Sequence, residues 1–338
     1  MAKAGRNSSV ELLRIISILF VIILHLNGAF VDFKDEGGVI TFYNFGQQLI
    51  EASTLCCVNC FLIISGYYGI KMNVDKIWAL YVQLVYLYIS LYLTNSIITK
   101  DFNIGSLLGC FAPFSRGNYF VTGYILLMLF SPFLNAFIEI KREKTLKYAA
   151  ILLFAEFWLD CVRGGGKTAG FAEGYTVLHF IVIYIFSRTV FYYKEVLFKV
   201  NKYYYLLGYI AFSLIILLQW KLGIQWTWAY TNPIVIFSAM SLFLFFACIE
   251  FRNHIINLLA SSSLAVFIFH TTKPIVTFLI EKDKIMLAQS TYPAYLLWLF
   301  ITAIAIFGVG FLYNQFFCTI VCKPQTWILE KIKSKLLK

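Results

Sequence analysis

The sequence predicts an all-α polytopic membrane protein with about ten transmembrane helices and both termini in the cytoplasm. Three observations carry this. Of 338 residues, 60% are hydrophobic and only 13% are charged, whereas a soluble domain carries roughly 25% charged residues. Runs of about 20 mostly apolar residues, the length that crosses a bilayer as a helix, recur from one end to the other. Lys and Arg gather in alternate loops, which assigns those loops to the cytoplasm.

The expected spans are 10–31, 46–69, 77–98, 119–138, 146–162, 175–193, 203–220, 232–250, 257–280 and 293–316. Taken in order, Lys3 and Arg6 precede the first span, and Lys34 follows it outside. Lys71 and Lys76 lie inside after the second, and Lys100 and Arg116 outside after the third. Lys141, Arg142, Lys144 and Lys147 mark the inner turn before the fifth span, which is short and carries Glu156 and Asp160. Arg163 and Lys167 are outside; Arg188, Lys194, Lys199 and Lys202 are inside. Lys221 is outside, Arg252 inside, and Lys282 and Lys284 outside. Lys323 and the tail lysines return the chain to the cytoplasm. Residues 1–338 form one membrane-embedded domain, with 323–338 a short basic tail and no internal repeat.

Composition excludes several classes. The net charge of +11 resides in cytoplasmic loops and in Lys331, Lys333, Lys335 and Lys338, so it needs no nucleic-acid partner. The first apolar run carries Arg14 and His25 and no small-residue cleavage site, unlike a signal peptide. The eight cysteines show no metal-ligand spacing, and no metal is expected. Cys56, Cys57 and Cys60 read as packing residues within a span. Cys110 and Cys161 fall on the same outer side, where an oxidising compartment would permit a disulfide.

Ionisable groups at membrane depth are costly and point to function. In the first span Arg14 and His25 are eleven residues apart, close to three full turns. They share a face, about 16 Å apart along the axis. Glu11 precedes Arg14 by one turn and can pair with it. Arg14 either snorkels to the inner interface or serves a site. His25 follows Ile22, Ile23 and Leu24, which give it no local partner.

His270, in LAVFIFHTTKP (264–274), stands at a depth similar to His25, with Lys273 and Pro274 one turn further out. The two histidines suit a shared site, although a helix-to-helix hydrogen bond would also explain His270. Glu156 and Asp160 share a face near the outer surface, where they bind sugar hydroxyls or pair with their neighbours. Glu51 and His179 carry the same two readings, and His254 reads as surface. The second span ends in FLIISGYYG (61–69), whose Ser65, Gly66 and Gly69 allow close backbone approach. With Tyr67, Lys71 and Lys76 it forms a basic mouth suited to an anionic cofactor or to phospholipid headgroups.

At these residues the chain resembles the acyltransferase-3 family of membrane acyltransferases. ELLRIISILFVIILH (11–25) is similar to that family's first-helix signature, an arginine, ten residues and a histidine. FLIISGYYG resembles its second-helix ending, and YFVTGYILLMLFSPFLN (119–135) its aromatic segment leading into a Ser-Pro turn. LASSSLAVFIFH (259–270) resembles its late helix ending in histidine. The resemblance implies a ten-helix fold in the plasma membrane of a bacterial cell. It implies a cytoplasmic acyl-CoA donor, most often acetyl-CoA, and a carbohydrate hydroxyl acceptor presented outside. The family's arginine and histidine map onto Arg14 and His25. The family's frequent Arg-x-x-Arg after the second helix is replaced here by Lys71 and Lys76.

A neutral imidazole at His25 would deprotonate an acceptor hydroxyl as it attacks the thioester, or would itself carry the acyl group. Arg14 cannot act as a base and suits anionic groups of the donor. The acceptor would be an envelope glycan or lipid-linked sugar, and outer aromatics such as Tyr119, Phe120, Trp226, Trp228 and Tyr230 either stack on it or form the aromatic belt common at membrane interfaces. Two rivals lack a thioester: a glycan polymerase or ligase, and a lipid-linked sugar transporter. Inverted repeats would favour the transporter, and none is visible.

Overall fold

The structure, a computed structural model, describes residues 7–29, 41–115, 118–164 and 170–322. Among them every regular element is helical. In order these are α1 (Ser8–Leu24), α2 (Phe42–Thr54), α3 (Cys57–Tyr68), α4 (Val74–Thr99), α5 (Ile104–Leu108), α6 (Tyr119–Ile140) and α7 (Thr145–Phe157). There follow α8 (Val177–Tyr192), α9 (Lys194–Leu197), α10 (Lys202–Lys221), α11 (Pro233–Ala247) and α12 (His254–Ala260). The last are α13 (Ser263–Thr271), α14 (Lys273–Gln289) and α15 (Tyr292–Phe317). The basic tail 323–338 and the loop cations Lys3, Arg6, Lys34, Arg116 and Lys167 lie outside the described residues.

Among the described residues, seven helical stretches are long and apolar enough to cross a membrane. They are Ser8–Gly28, Phe42–Tyr68, Val74–Thr99, Tyr119–Ile140, Lys202–Lys221, His254–Thr271 and Tyr292–Ile320. Two further apolar helices, α8 and α11, are shorter. The expected fifth span is α7, of 13 residues, prolonged by a π-turn over Trp158–Val162.

Two expected spans are interrupted, and a third runs through its proline, each for a local reason. The second is interrupted at Leu55–Cys56, between α2 and α3. Just before the break, the hydroxyls of Ser53 and Thr54 donate back to the carbonyls of Leu49 and Ile50 at 2.7 and 2.8 Å. Such back-bonding bends helices. The Ser-Pro pair in the fourth span is not a turn, because α6 runs through it to Ile140. Pro132 has no N–H for the carbonyl of Met128, one turn earlier, and the Ser131 hydroxyl donates to that carbonyl at 2.7 Å. The serine therefore repairs the bond the proline removes. In the ninth span the helix ends at Thr271, and Thr272 is extended. Pro274 sits in the first turn of α14, where its missing N–H has no helical acceptor to lose. Lys273 thus opens a new helix rather than continuing that of His270.

The chain divides into two compact units, residues up to 74 with 114–257, and residues 75–113 with those from 258 onward. In the first, Leu13, Ile18 and Ile22 of α1 and Leu62, Ile63 and Ile64 of α3 are fully buried, with Phe180 and Tyr184 of α8 and Phe243 of α11. The start of α1 is fastened by Asn7, whose side chain accepts from the Ser9 N–H at 3.0 Å and donates to the Ile249 carbonyl at 3.1 Å. Helices α3 and α8 approach so closely that a Cβ at Gly66 would stand 2.6 Å from that of Ser187. The small-residue contact expected at Gly66 is therefore present.

In the second unit α13 and α15 approach similarly, with a Cβ at Gly310 falling 2.8 Å from Cα of Val266. Asn314 donates to Ser262 and accepts from Gln83, both at 2.9 Å. Asp283 of α14 is fully buried and accepts from the Trp298 indole at 3.1 Å. Burial pushes this carboxyl up to about 7, while the indole bond pulls the other way. Cys110 belongs to the second unit, where its thiol donates to the Ser106 carbonyl at 3.4 Å, and Cys161 to the first, where its sulfur meets the Thr231 hydroxyl at 3.5 Å.

Gly66→Ala should lower the melting temperature of the detergent-solubilised protein, because the backbones of α3 and α8 must part. Gly308→Ala, whose added Cβ meets no described atom within 4 Å, should leave it unchanged. Equal melting temperatures for the two variants would refute the close packing.

Candidate active site

The first unit has two ends of unlike chemistry, and α1 runs from one to the other. At the end where α1 begins, Arg14 Nε lies 3.8 Å from Glu11 Oε2, so the pair expected from the spacing forms. Glu11 is buried while the Arg14 side chain is 35% exposed, which leaves the guanidinium open to a further anion. The Tyr68 hydroxyl is within electrostatic reach of both.

Beside them the turn after α3 is held from two helices. Gly69 adopts φ +77°, a conformation that favours glycine. The Ile70 N–H donates to the Tyr184 hydroxyl at 3.0 Å, and that hydroxyl donates to Asn135 Oδ1 at 2.6 Å. Asn135 completes the ring by donating to the Ile70 carbonyl at 2.8 Å. Arg188 Nη1 donates to the Tyr67 carbonyl at 3.0 Å, and Nη2 lies 3.9 Å from Glu139. Its guanidinium covers the rings of Phe191 and Tyr192 at 4.6 and 5.6 Å, and Arg142 covers Tyr192 at 4.4 Å. Of the residues expected at this mouth, Tyr67 is buried among Phe191, Phe198 and Phe243, and Lys71 is exposed. Ser65 donates to the Phe61 carbonyl at 2.8 Å. Lys76 is an exposed residue of the second unit.

At the other end, His25 opens a π-turn spanning His25–Ala29, a geometry frequent at functional sites. Two residues on, the fully buried Asn27 donates to Glu51 Oε2 at 3.0 Å and to the Gln47 carbonyl at 2.9 Å. These bonds fix the amide orientation, and Asn27 Oδ1 has no partner among the described residues. Glu51 is therefore placed next to the turn that carries His25.

Further along the same end, Glu156 and His179 meet, both without exposed surface. Glu156 Oε1 lies 2.8 Å from His179 Nδ1, and His179 Nε2 lies 2.8 Å from Asn59 Oδ1. Asp160 Oδ2 accepts from the Glu173 N–H at 2.9 Å and from the Thr231 hydroxyl at 2.7 Å. The rings of Tyr119 and Tyr175 meet at 4.7 Å, those of Tyr175 and Tyr230 at 5.4 Å, and Phe157 abuts Trp226 at 5.3 Å.

His270 belongs to the second unit, where its Nδ1 meets the Val266 carbonyl at 2.9 Å. A carbonyl only accepts, so that nitrogen carries the proton and Nε2 is the basic nitrogen of the neutral ring. Lys273 is exposed at the start of α14. Among the described residues, no group of three or more His, Cys, Asp and Glu side chains could hold a metal ion.

Residues 7–314 match the family model described as an acyltransferase domain, that of the acyltransferase-3 family. The chain belongs to that family. No curated protein and no solved structure matches it. The matched stretch includes every residue of the site described above and makes this a membrane acyltransferase. Within this acyltransferase, sequence reasoning passed over Asn27, Asn59 and Arg188. The signal is present in the chain: two amides within apolar runs, and an arginine inside the expected span 175–193.

Tyr184→Phe removes the hydroxyl that both accepts from Ile70 and donates to Asn135. The buried groups left unpaired should cost about 1–3 kcal/mol, visible as a lower midpoint of thermal unfolding. An unshifted midpoint would mean that this hydroxyl does not hold the turn.

Proposed function

We propose that this acyltransferase moves an acetyl group from cytoplasmic acetyl-CoA to a hydroxyl of a cell-envelope glycan or lipid-linked sugar at the outer face of the plasma membrane. The observation that carries the proposal is the polarity of the first unit. Arg14, Lys71, Arg142 and Arg188 gather at one end, offset only in part by Glu11 and Glu139, and Glu51, Glu156 and Asp160 lie with Tyr119, Tyr175 and Tyr230 at the other, with α1 joining the two. A cationic rim suits the phosphates of a nucleotide thioester. Carboxylates beside aromatic rings suit a sugar, whose hydroxyls donate hydrogen bonds and whose C–H face is apolar. Both termini cytoplasmic would put the Arg14 end at the donor side.

In this scheme His25 acts where the two substrates meet. A neutral imidazole accepts the proton of the acceptor hydroxyl as its oxygen attacks the thioester carbonyl. The tetrahedral intermediate then expels the CoA thiolate, which takes up the proton from the imidazolium. Asn27 Oδ1 and the Glu51 carboxylate, beside His25 in the fold, supply acceptors that orient the sugar hydroxyls. Arg14, already neutralised in part by Glu11, binds the donor's anionic groups and takes no part in proton transfer.

The purified protein should bind radiolabelled acetyl-CoA saturably, and Arg14→Lys should weaken binding because a point charge replaces a bidentate fork. A glycan polymerase or a sugar transporter has no use for a thioester. Absence of specific acetyl-CoA binding by the wild-type protein would therefore reject the proposed donor.

A further inference from the structure

The short turn Ala172–Tyr175, between the π-turn after α7 and the start of α8, is built at a conformational disadvantage. Ala172 and Glu173 have φ of +43° and +59°, in the left-handed region that ordinary side chains avoid. Gly174 follows at φ +97°, and a Cβ there would fall 2.6 Å from that of Tyr230. Strained, non-glycine backbone persists only where its surroundings hold it.

Here the surroundings are two buried carboxylates, Glu156 in the last turn of α7 and Asp160 in the π-turn that follows it. Asp160 grips the turn directly, through the Glu173 N–H at 2.9 Å, and also takes the Thr231 hydroxyl. The Glu173 carbonyl accepts from the Tyr230 N–H at 2.9 Å. Glu156 grips it through a relay. Asn59 Nδ2 donates to the Tyr230 carbonyl at 2.9 Å. A backbone carbonyl only accepts, so the Asn59 amide can face only one way and its Oδ1 meets His179 Nε2. That nitrogen must therefore carry a proton. A second proton lies between His179 Nδ1 and Glu156 Oε1, 2.8 Å apart. Both ring nitrogens are engaged, and the pair is neutral as a whole. His179 has no lone pair to offer a substrate, so it is a tie and not a base.

The relay presents two exposed groups, the Glu173 carboxylate and the Tyr175 ring, the latter 45% exposed and braced edge-on by Tyr119 and Tyr230. We propose that Asp160 and the Glu156–His179–Asn59 relay are positioning residues that hold Glu173 and Tyr175 as a pyranose-binding turn. The Tyr175 ring stacks on the apolar face of the sugar, and the Glu173 carboxylate accepts from its hydroxyls. This rests on the acceptor reading above and names the residues that select the sugar.

Two measurements test it on the full-length protein in lipid nanodiscs. The first is binding of a panel of methyl pyranosides without donor, read by saturation-transfer NMR. The second is steady-state acetyl transfer from acetyl-CoA to the same panel. Tyr175→Ala and Glu173→Gln change exposed side chains and should fold normally. Each should weaken pyranoside binding and raise the acceptor KM roughly tenfold, while the acetyl-CoA KM stays within about twofold. Asp160→Asn should do the same from beneath the turn. Glu156→Gln, which can donate to a neutral imidazole, should be mild, and His179→Gln, which leaves a buried carboxylate without the proton it shares, severe. The double variant should regain much of the lost acceptor affinity, a rescue that general loosening of the fold would not produce. Unchanged pyranoside affinity in Tyr175→Ala and Glu173→Gln, or no pyranoside binding by the wild type, overturns the inference. Pyranoside binding without acetyl transfer would instead fault the proposed donor and leave the turn's assignment supported.

Discussion

A carboxylate buried among apolar helices has to be neutralised where it stands, because neither water nor lipid tail will do it. In the first unit this constraint organises much of what surrounds the site. Glu156 meets His179, Glu51 meets Asn27, Glu11 meets Arg14, and Asp160 meets a backbone N–H and a threonine hydroxyl. Apart from the Glu11–Arg14 pair, which lies within α1, these pairings tie a helix to a neighbour or to a loop. The polar groups expected to serve chemistry therefore also set the positions of the elements that carry it.

The constraint separates residues with polar atoms still open from residues whose bonds are filled. Arg14 keeps a third of its side chain open although it is paired. Asn27 retains an acceptor atom unused among the described residues beside His25. His179, by contrast, has both ring nitrogens engaged. Hydrogen bonding thus makes His179 a tie between helices, a duty distinct from the one proposed for His25.

Much of the fold was legible because a bilayer demands long apolar runs, and those runs are plain in the chain. The pairing of Glu11 with Arg14 followed from helical spacing, and the close approach at Gly66 from its small side chain. The helix breaks were less legible. Ser131-Pro132 reads as a turn until the serine hydroxyl is seen to replace the missing N–H, and LAVFIFHTTKP reads as one helix until Thr272 extends. For the candidate site, ionisable residues within apolar runs single out Arg14, His25, Glu51, Glu156, Asp160 and His179. That criterion could not find Asn27 or Asn59, whose importance lies in bonds between helices distant in sequence. Nor could it find the strained turn at Glu173, since positive φ in a non-glycine residue leaves no mark in composition.

The central claim is that His25 performs the transfer for which the rest of the unit prepares. Its most direct test is the rate of acetyl transfer from radiolabelled acetyl-CoA to a sugar acceptor by His25→Ala, beside a melting curve of the same preparation. The account predicts loss of transfer by at least about a hundredfold, the scale of one general base, with thermal stability kept. Transfer at the wild-type rate by the folded variant would contradict it.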